Sequence, residues 1–323
     1  MRSIWLGLVL AAACNGHRES SSSTGSATTN VVIPAGSAGS AASATHAAGE
    51  AAYAAHDYAG CAAIYAHVAA AGSADRDEEL YDEACCEALG GKSDVALATL
   101  QRAIDAGWRD AKQLGSDADL SSLHADRRWP DVIAKTNAAE AAFERSLKAP
   151  DVRAQLLAMV TEDQAQRMAW VNANKHGAGS AETAPLLATM ETGDRKRTAA
   201  LQAIVDKLGW PDKSAVGEDG AHAAWLLVQH ADQDPAFPKR VLAMMEPLVK
   251  TGEVDARDYA YLYDRVAVHD QRPQRWGTQF KDGYPDAIED EAHVDERRAA
   301  IGLPSMAAYK QQMIQMYGSG AAK

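Results

Sequence analysis

The chain has 323 residues, of which 47% are hydrophobic, and it carries a formal net charge of −12 at pH 7. This length accommodates two domains, and the hydrophobic content is sufficient for a buried core. The acidic balance argues against a nucleic-acid-binding surface, which requires clustered Lys and Arg. Alanine supplies much of the hydrophobic content and there are only 3 Phe. The composition therefore favours helix over strand.

The N-terminus carries a short apolar segment. Arg2 precedes an unbroken apolar run from Ile4 to Ala13, and Cys14 follows it. This run is far shorter than the roughly 20 residues that a membrane-spanning helix needs. A basic residue, a short apolar run and small residues at its end are typical of a secretory signal. We therefore predict a signal peptide over residues 1–13.

Residues 10–14 are Leu-Ala-Ala-Ala-Cys and resemble a bacterial lipobox with its leucine one place early. The three alanines also suit ordinary signal peptidase. Residues 14–46 are rich in Ser, Thr, Gly and Ala, and a coil of about 30 such residues spans on the order of 30 Å, which suits a tether. We expect a lipid at Cys14 to anchor the chain to a membrane of the cell envelope, outside the cytoplasm. A secreted chain is the alternative.

Residues 47–138 form a first predicted module with an internal repeat. Residues 57–59 (Asp-Tyr-Ala) correspond to residues 94–96 (Asp-Val-Ala), and an apolar run at helical spacing follows each of them and ends at Gly72 and Gly107. The offset of 37 resembles the tetratricopeptide helix pair, whose usual period is about 34 residues.

A segment downstream of the repeat supports the same resemblance. In residues 117–129, the apolar side chains of Leu120, Leu123 and Trp129 resemble those that cap the last helix pair of such arrays. The resemblance implies a helical-hairpin module that contacts an envelope protein or peptide through residues 47–135.

Besides Cys14, the chain has Cys61, Cys85 and Cys86, without the C-x-x-C spacing of zinc or redox sites. We favour buried thiols that fill a helix interface. The alternative is a disulfide from Cys61 to Cys85 or Cys86, which an oxidising compartment would allow if their helices pack together.

Residues 150–318 form a second predicted module, α-helical with a small β-hairpin. A capping box at residues 161–164 predicts a break between two helices, and another helix is predicted over residues 198–208. Residues 223–228 are apolar around the full helix circumference and therefore belong in a core. Helices should also begin at Asp234-Pro235 and at Asp255. The hairpin would turn at residues 282–283 (Asp-Gly).

Six polar motifs distinguish this second module. They are Asp163-Gln164-x-x-Arg167, Gly209-Trp210-Pro211, Gln229-His230-Ala231-Asp232, Asp264-Arg265, Gln274-x-x-Gly277-Thr278-Gln279 and Asp295-x-Arg297-Arg298. As a set they resemble an uncharacterised bacterial domain family of unknown function over most of residues 150 to 310, and the resemblance implies no known reaction. It also implies an asparagine a few residues after Asp194, where this chain has Arg197-Thr198.

His230 is the best candidate for chemistry, because a histidine can act as a general base near neutral pH. Asp163, Asp232 or Asp264 could orient it. The candidate catalytic residues are His230, Asp264 and Arg265; the candidate ligand-binding residues are Asp163, Arg167, Gln229, Gln274, Gln279, Arg297 and Arg298. We expect a polar binding site, with an envelope hydrolase as the alternative. A buried hydrogen-bonding network without chemistry would need the same residue types.

A metal site is not favoured, although His222, His230, His269 and His293 offer imidazoles. Eight residues along a helix place His222 about 80° around the axis from His230, unlike the i, i+4 pair of a zinc helix. The chain also has no G-x-S-x-G nucleophile motif and no P-loop. We therefore expect neither a metal nor a cofactor, and the sequence leaves open whether the protein is an enzyme.

Overall fold

Helices make up nearly all the regular structure of this chain. The computed structural model describes residues 45–73, 75–175, 179–281, 284–285 and 287–317. The predicted signal peptide, Cys14 and nearly all of the tether lie outside these residues. Contacts divide the described chain into two compact units between Ser146 and Leu147. Within the described ranges, no helix combines the length and apolar character that crossing a membrane requires.

The first unit is a series of short helices. They are α1 (His46–Ala54), α2 (Tyr58–Ala70), α3 (Arg76–Leu89), α4 (Ser93–Ala106), α5 (Ala111–Ser116), a 3-10 helix (Ala118–Leu123) and α6 (Trp129–Ser146). The side chain of Asp57 caps α2 by accepting a hydrogen bond from the Gly60 N–H. α4 ends at Gly107, whose φ of 132° favours glycine. Successive helices α2, α3 and α4 pack as helical hairpins.

The core of this unit lies between α3, α4 and the segment that follows them. Leu80, Leu100, Leu120 and Leu123 are fully buried, and Trp129 packs into the same apolar cluster. The apolar side chains of residues 117–129 therefore cover the end of the α3–α4 pair, which would otherwise expose its apolar surface to water.

A disulfide joins Cys61 of α2 to Cys86 of α3, with Cα atoms 6.0 Å apart, whereas Cys85 is a buried thiol outside the disulfide. Consecutive helical residues point about 100° apart. Cys86 therefore faces α2, while Cys85 packs into the α3–α4 core. The interpretation as buried thiols holds for Cys85 and is wrong for Cys61 and Cys86.

The second unit contains longer helices. They are α7 (Pro150–Lys175), α8 (Ser180–Leu208), α9 (Lys213–Gln229), α10 (Ala236–Val249), α11 (Ala256–His269), a 3-10 helix (Glu291–His293), α12 (Val294–Ala299) and α13 (Met306–Tyr317). Two short strands, β1 (Phe280–Lys281) and β2 (Tyr284–Pro285), pair antiparallel. The fold is thus mainly α with a small strand pair, as the sequence predicts.

Two predicted helix boundaries are wrong. α7 runs unbroken through the predicted capping box, and the Thr161 hydroxyl donates to the Leu157 carbonyl within the helix. The helix predicted over residues 198–208 is the end of α8, which begins at Ser180. Tertiary packing on both helices outweighs the local capping signal.

α9 is the central helix of the second unit and contacts α7, α8, α10 and α11. All six residues from Ala223 to Val228 are buried, which confirms their predicted place in the core. α9 ends at Gln229, so the helix carries Gln229 and the following His230 into the interior, where both are buried.

Three glutamates lie along one face of α3, four residues apart. Glu79, Glu83 and Glu87 are each less than a tenth exposed, and the Oε2 atom of each has no hydrogen-bond partner in the described chain. Burial raises the pKa of Glu87 above its ordinary value, and a hydrogen bond from Thr99 opposes the shift. A raised pKa means that the folded state holds the proton more tightly than the unfolded chain.

We therefore expect Glu87→Gln to stabilise the protein at pH 7.5, because the amide keeps an oxygen for Thr99 and removes a buried charge. The gain arises because the folded variant no longer holds a carboxylate in a site that favours the neutral form. It should shrink as the pH falls through the pKa of Glu87, where the wild-type carboxyl is itself neutral in the folded state. Urea unfolding at pH 7.5 and pH 5 measures this, with the exposed Glu144→Gln as control. A loss of stability at pH 7.5 would contradict the expectation.

Candidate functional site

Five ionisable side chains meet where α7, α8 and the end of α9 pack together. Asp163 and Arg167 lie one turn apart on α7, Asp194 and Arg197 lie one turn apart on α8, and His230 follows α9. Asp163 is completely buried, Asp194 keeps 13% of its side chain exposed, and the other three are less than a tenth exposed.

Asp163 is the centre of this cluster. Its Oδ2 lies 3.0 Å from His230 Nδ1 and 3.1 Å from Arg167 Nε. Its Oδ1 lies 3.2 Å from Arg197 Nη2. Asp194 Oδ1 in turn accepts hydrogen bonds from Nη2 of Arg167, at 2.9 Å, and Nη2 of Arg197, at 2.8 Å. Two carboxylates and two guanidiniums thus balance in charge, which is what buried ions require.

The partners of His230 decide which ring nitrogen carries the proton. Nδ1 lies near both Asp163 Oδ2 and Arg167 Nε, which is 3.1 Å away. A carboxylate can only accept a hydrogen bond, and the Arg167 Nε–H already has Asp163 as its acceptor. We therefore assign the proton to Nδ1. Nε2 is then a hydrogen-bond acceptor, and it is buried without a partner in the part of the chain that the structure describes.

The surroundings of the cluster set its protonation states. Burial lowers the pKa of His230, and the hydrogen bond with Asp163 opposes this shift. Burial alone would raise the pKa of Asp163, but the hydrogen bond from His230 and the charge of Arg167 hold that pKa well below its ordinary value. Burial raises the pKa of Asp194 against the charge of Arg167. At neutral pH the site therefore holds an Asp163 carboxylate and a neutral imidazole.

A pocket of about 240 Å³ opens beside this cluster, between α8 and the turn that follows α9. Its lining consists of Asp194, Arg195, Thr198, Ala199, Gln202, His230, Gln233 and Asp234. Arg195 Nη1 donates to Gln233 Oε1 at 3.1 Å, and Gln202 Nε2 donates to Asp234 Oδ2 at 2.6 Å. Polar side chains on the wall are thus hydrogen-bonded to one another.

Asp264 belongs to a second cluster. Its carboxylate accepts hydrogen bonds from the backbone N–H groups of Arg275, Trp276 and Thr278, at 2.7 to 3.2 Å, and from the Thr278 hydroxyl at 3.0 Å. Between these residues, Gly277 has a φ of 64°, and a Cβ there would lie 2.7 Å from Ile288. Asp264 therefore holds a tight loop against α11.

The other predicted residues near this loop bind its backbone. Gln274 Nε2 donates to the Gln279 carbonyl at 2.9 Å, and the Gln279 N–H donates back to Gln274 Oε1 at 2.7 Å. Arg297 Nε donates to the Arg275 carbonyl at 2.9 Å, and Arg298 Nη1 to the Trp276 carbonyl at 2.6 Å. These side chains fix the loop in place.

The candidate residues therefore do not form one site. Asp163, Arg167 and His230 meet beside the pocket, which His230 lines, whereas Asp264, Gln274, Gln279, Arg297 and Arg298 build the loop. The expectation that Asp264 orients His230 is corrected, because its carboxylate accepts the loop N–H groups and Asp163 holds the imidazole instead.

Two candidates lie outside both clusters. Arg265 Nη2 donates to Asp232 Oδ1 at 2.7 Å. The amide of Gln229, oriented to satisfy its surroundings, accepts hydrogen bonds from Trp225 Nε1 and the Leu262 N–H within the core. Gln229 therefore holds α9 against α11 and does not face the pocket.

Asp194 and Arg197 belong to the cluster but are not among the site residues predicted from the sequence. Both lie on the same face of α8, three residues apart, and a pair of opposite charges at that spacing was the available signal. Arg197 occupies the region where the family pattern implied asparagine. Which α7 residues the pair contacts depends on how the two helices pack, and the pattern does not carry that information.

A group of possible metal ligands occurs in the first unit, where ligand atoms of Cys85, Asp117 and Asp119 lie within 4.8 Å of one another. The Tyr81 hydroxyl donates to Asp117 at 2.8 Å, and the Tyr53 hydroxyl donates to Asp119 at 2.8 Å. Because both carboxylates already accept hydrogen bonds from tyrosine hydroxyls, we interpret this group as a hydrogen-bonding network between α1, α3 and the 3-10 helix.

Comparison with known families gives one result for this chain. A family model described as a family of unknown function (DUF6624) matches residues 150–321, just over half of the chain. This match confirms the resemblance of the polar motifs to a domain family of unknown function. No curated protein and no solved structure matches the chain.

Gly193 allows Arg197 to reach Asp163. A Cβ at Gly193 would lie 2.4 Å from Gln166 Oε1 and 2.6 Å from Arg197 Nη1, closer than real contacts allow. We expect Gly193→Ala to lower the free energy of unfolding by about 1–3 kcal/mol through this overlap, although alanine favours helix by about 1 kcal/mol.

Thermal and urea unfolding measure the change. Gly115→Ala is the control, since Gly115 is helical and a Cβ there would meet no atom within 4 Å. That variant should be neutral or slightly stabilising. An equal gain in stability for both variants would show that the position of the Arg197 guanidinium does not depend on the absence of a Cβ at residue 193.

Proposed function

Because the chain belongs to the family of unknown function DUF6624, we propose its function from the geometry of its own residues: the second unit binds a small polar ligand in the pocket beside His230. The observation that carries this proposal is the unpartnered Nε2 of His230. The ring is oriented by Asp163 through Nδ1, and it forms part of the pocket wall.

An unsatisfied buried acceptor costs about 1–3 kcal/mol. The cluster leaves one other buried polar atom without a partner in the described chain, Arg197 Nε. His230 Nε2 is itself enclosed, so a hydrogen-bond donor in the pocket would reach its lone pair once the edge of the ring opens toward the pocket. The volume of about 240 Å³ lies below the range of about 300–1,000 Å³ that is typical of drug-sized ligands. The ligand of this pocket is therefore small.

A hydrolase is the second candidate, and the pairing of Asp163 with His230 favours it. A carboxylate at Nδ1 fixes the tautomer and stabilises the imidazolium, as in known general-base pairs. Nε2 would take a proton from a water in the pocket while that water attacks an ester or amide carbonyl, and would then pass the proton to the leaving group. The neutral imidazole that burial favours is the form this step requires.

For the first unit, we propose a tetratricopeptide-like interaction module that contacts an envelope protein or peptide through residues 47–135. The sequence repeat at an offset of 37 and the packing of α2, α3 and α4 as hairpins support it. Only about two helix pairs occur in the described part of this unit, and longer arrays are usual for an extended groove. The module therefore fits a single short contact.

We also propose that the protein is an envelope lipoprotein anchored through Cys14, on the strength of residues 10–14 and the tether. Mass spectrometry of the mature N-terminus tests this. We expect a diacylglyceryl group on Cys14 and its loss in Cys14→Ser. Cleavage after Ala13 that leaves an unmodified cysteine would contradict the lipid anchor and favour secretion.

His230→Ala tests the ligand site. We expect at least one member of a panel of small amines, sugars and carboxylic acids to raise the melting temperature of the full chain, and His230→Ala to abolish that shift. His222→Ala is the matched control, because His222 lies on the same helix and binds Asp258. It should keep the shift.

The same variants separate binding from catalysis and from a purely structural role. In a hydrolase, His230→Ala should also remove ester or amide hydrolysis by at least a hundredfold, the lower range for a general base. A lower melting temperature for His230→Ala, together with no ligand response in the wild type, would contradict the proposed function.

A further inference from the structure

The ionisable side chains that line the pocket beside His230 include more carboxylates than cations. Nε2 of His230 is an acceptor in the assigned tautomer. Both guanidinium contacts to Asp194 use Oδ1, so its Oδ2 can accept from a ligand. Asp234 brings a second carboxylate to the same wall.

The positive charges near the pocket are engaged elsewhere. Arg167 and Arg197 lie behind the wall, where they bind Asp163 and Asp194. Arg195 lies on the wall, but its guanidinium donates to Gln233 and Thr192. The lining thus presents two carboxylates against one guanidinium, with His230 neutral.

We propose that the pocket recognises its ligand through a primary ammonium group. This inference rests on the proposed function, since it names the chemistry that the same pocket takes. An ammonium has three donors and no acceptor. It can donate to a carboxylate of the wall, and to His230 Nε2 once the enclosed edge of the ring opens toward the pocket, and its charge complements the lining.

The same groups on the wall would repel an anionic ligand. Its oxygens would face the lone pair of His230 and the carboxylates of Asp194 and Asp234, with only Arg195 of opposite charge. The nearby Arg167 and Arg197, which could otherwise attract an anion, are already neutralised by aspartates. The pocket therefore disfavours phosphate and carboxylate groups.

This assignment also predicts the direction of pH dependence. The charged groups that act on His230 are Asp163 and Arg167 from α7 and Arg265 from α11, and His230 in turn acts on Asp194 of α8. When His230 is protonated, Nε2 becomes a donor and carries positive charge, so it repels an ammonium. Affinity for an amine should fall as the pH drops through the pKa of His230, and affinity for an anion would rise.

Ethanolamine and ethylene glycol form a matched probe pair, because they differ only in one ammonium against one hydroxyl. We expect NMR titration of the full chain to give at least tenfold tighter binding for ethanolamine than for ethylene glycol, inorganic phosphate or acetate. Asp194→Asn should weaken ethanolamine binding about tenfold. Asp206→Asn, which removes an exposed α8 carboxylate that pairs with Arg240, should leave it unchanged.

The outcomes separate this inference from the function on which it rests. If phosphate, acetate or ethylene glycol binds most tightly and His230→Ala abolishes that binding, the ammonium assignment is overturned and the pocket remains a ligand site. If ethanolamine binding persists in His230→Ala or strengthens as the pH falls, the assignment is also overturned. If none of the four probes binds but another member of the panel does, the ammonium assignment is overturned and the pocket remains a ligand site. If no member of the panel binds, both proposals fail.

Discussion

The second unit depends on the carboxylate of Asp163, which is completely buried and contacts four side chains on three different segments: Gln164 and Arg167 on α7, Arg197 on α8, and His230 after α9. A buried charge of this kind is stable only while its partners stay in place. Removing one partner of such a network typically costs about 3–5 kcal/mol, because the remaining charges are left uncompensated. The packing of α7, α8 and the end of α9 is therefore tied to the same contacts that orient His230.

The position of this network follows from the sequence of α9. A helix that is apolar on every side must lie inside the unit, and its C-terminal polar groups then need partners in the interior. Gln229 finds them in Trp225 and the backbone of α11, and His230 finds Asp163. On α8, the absent side chain of Gly193 makes room for the Arg197 guanidinium. One apolar segment thus determines where a polar site can form.

Helical character and the buried segment of α9 were predictable, because periodicity and residue type carry them directly. Residue type also singled out His230 and Asp163, which the structure places in contact. The contacts that each side chain makes with other segments were not predictable from the sequence. The partner of Asp264 is a backbone loop eleven to fourteen residues downstream, and the choice between Cys85 and Cys86 depends on which face of α3 meets α2. A local signal can also mislead: the capping box at Thr161 predicts a helix break, but α7 continues through it as one long helix.

The two polar clusters of the second unit differ in the hydrogen-bonding atoms that they leave without a partner in the described chain. Asp264 gives both oxygens to the loop that it holds, and that loop is complete without a ligand. Arg298 leaves Nη2 and Arg197 leaves Nε without a partner in the described chain, but neither side chain lines the pocket. His230 combines an unused nitrogen, a fixed tautomer and a place on a pocket wall. The combination of these three features is why we propose His230 as the functional residue of the domain.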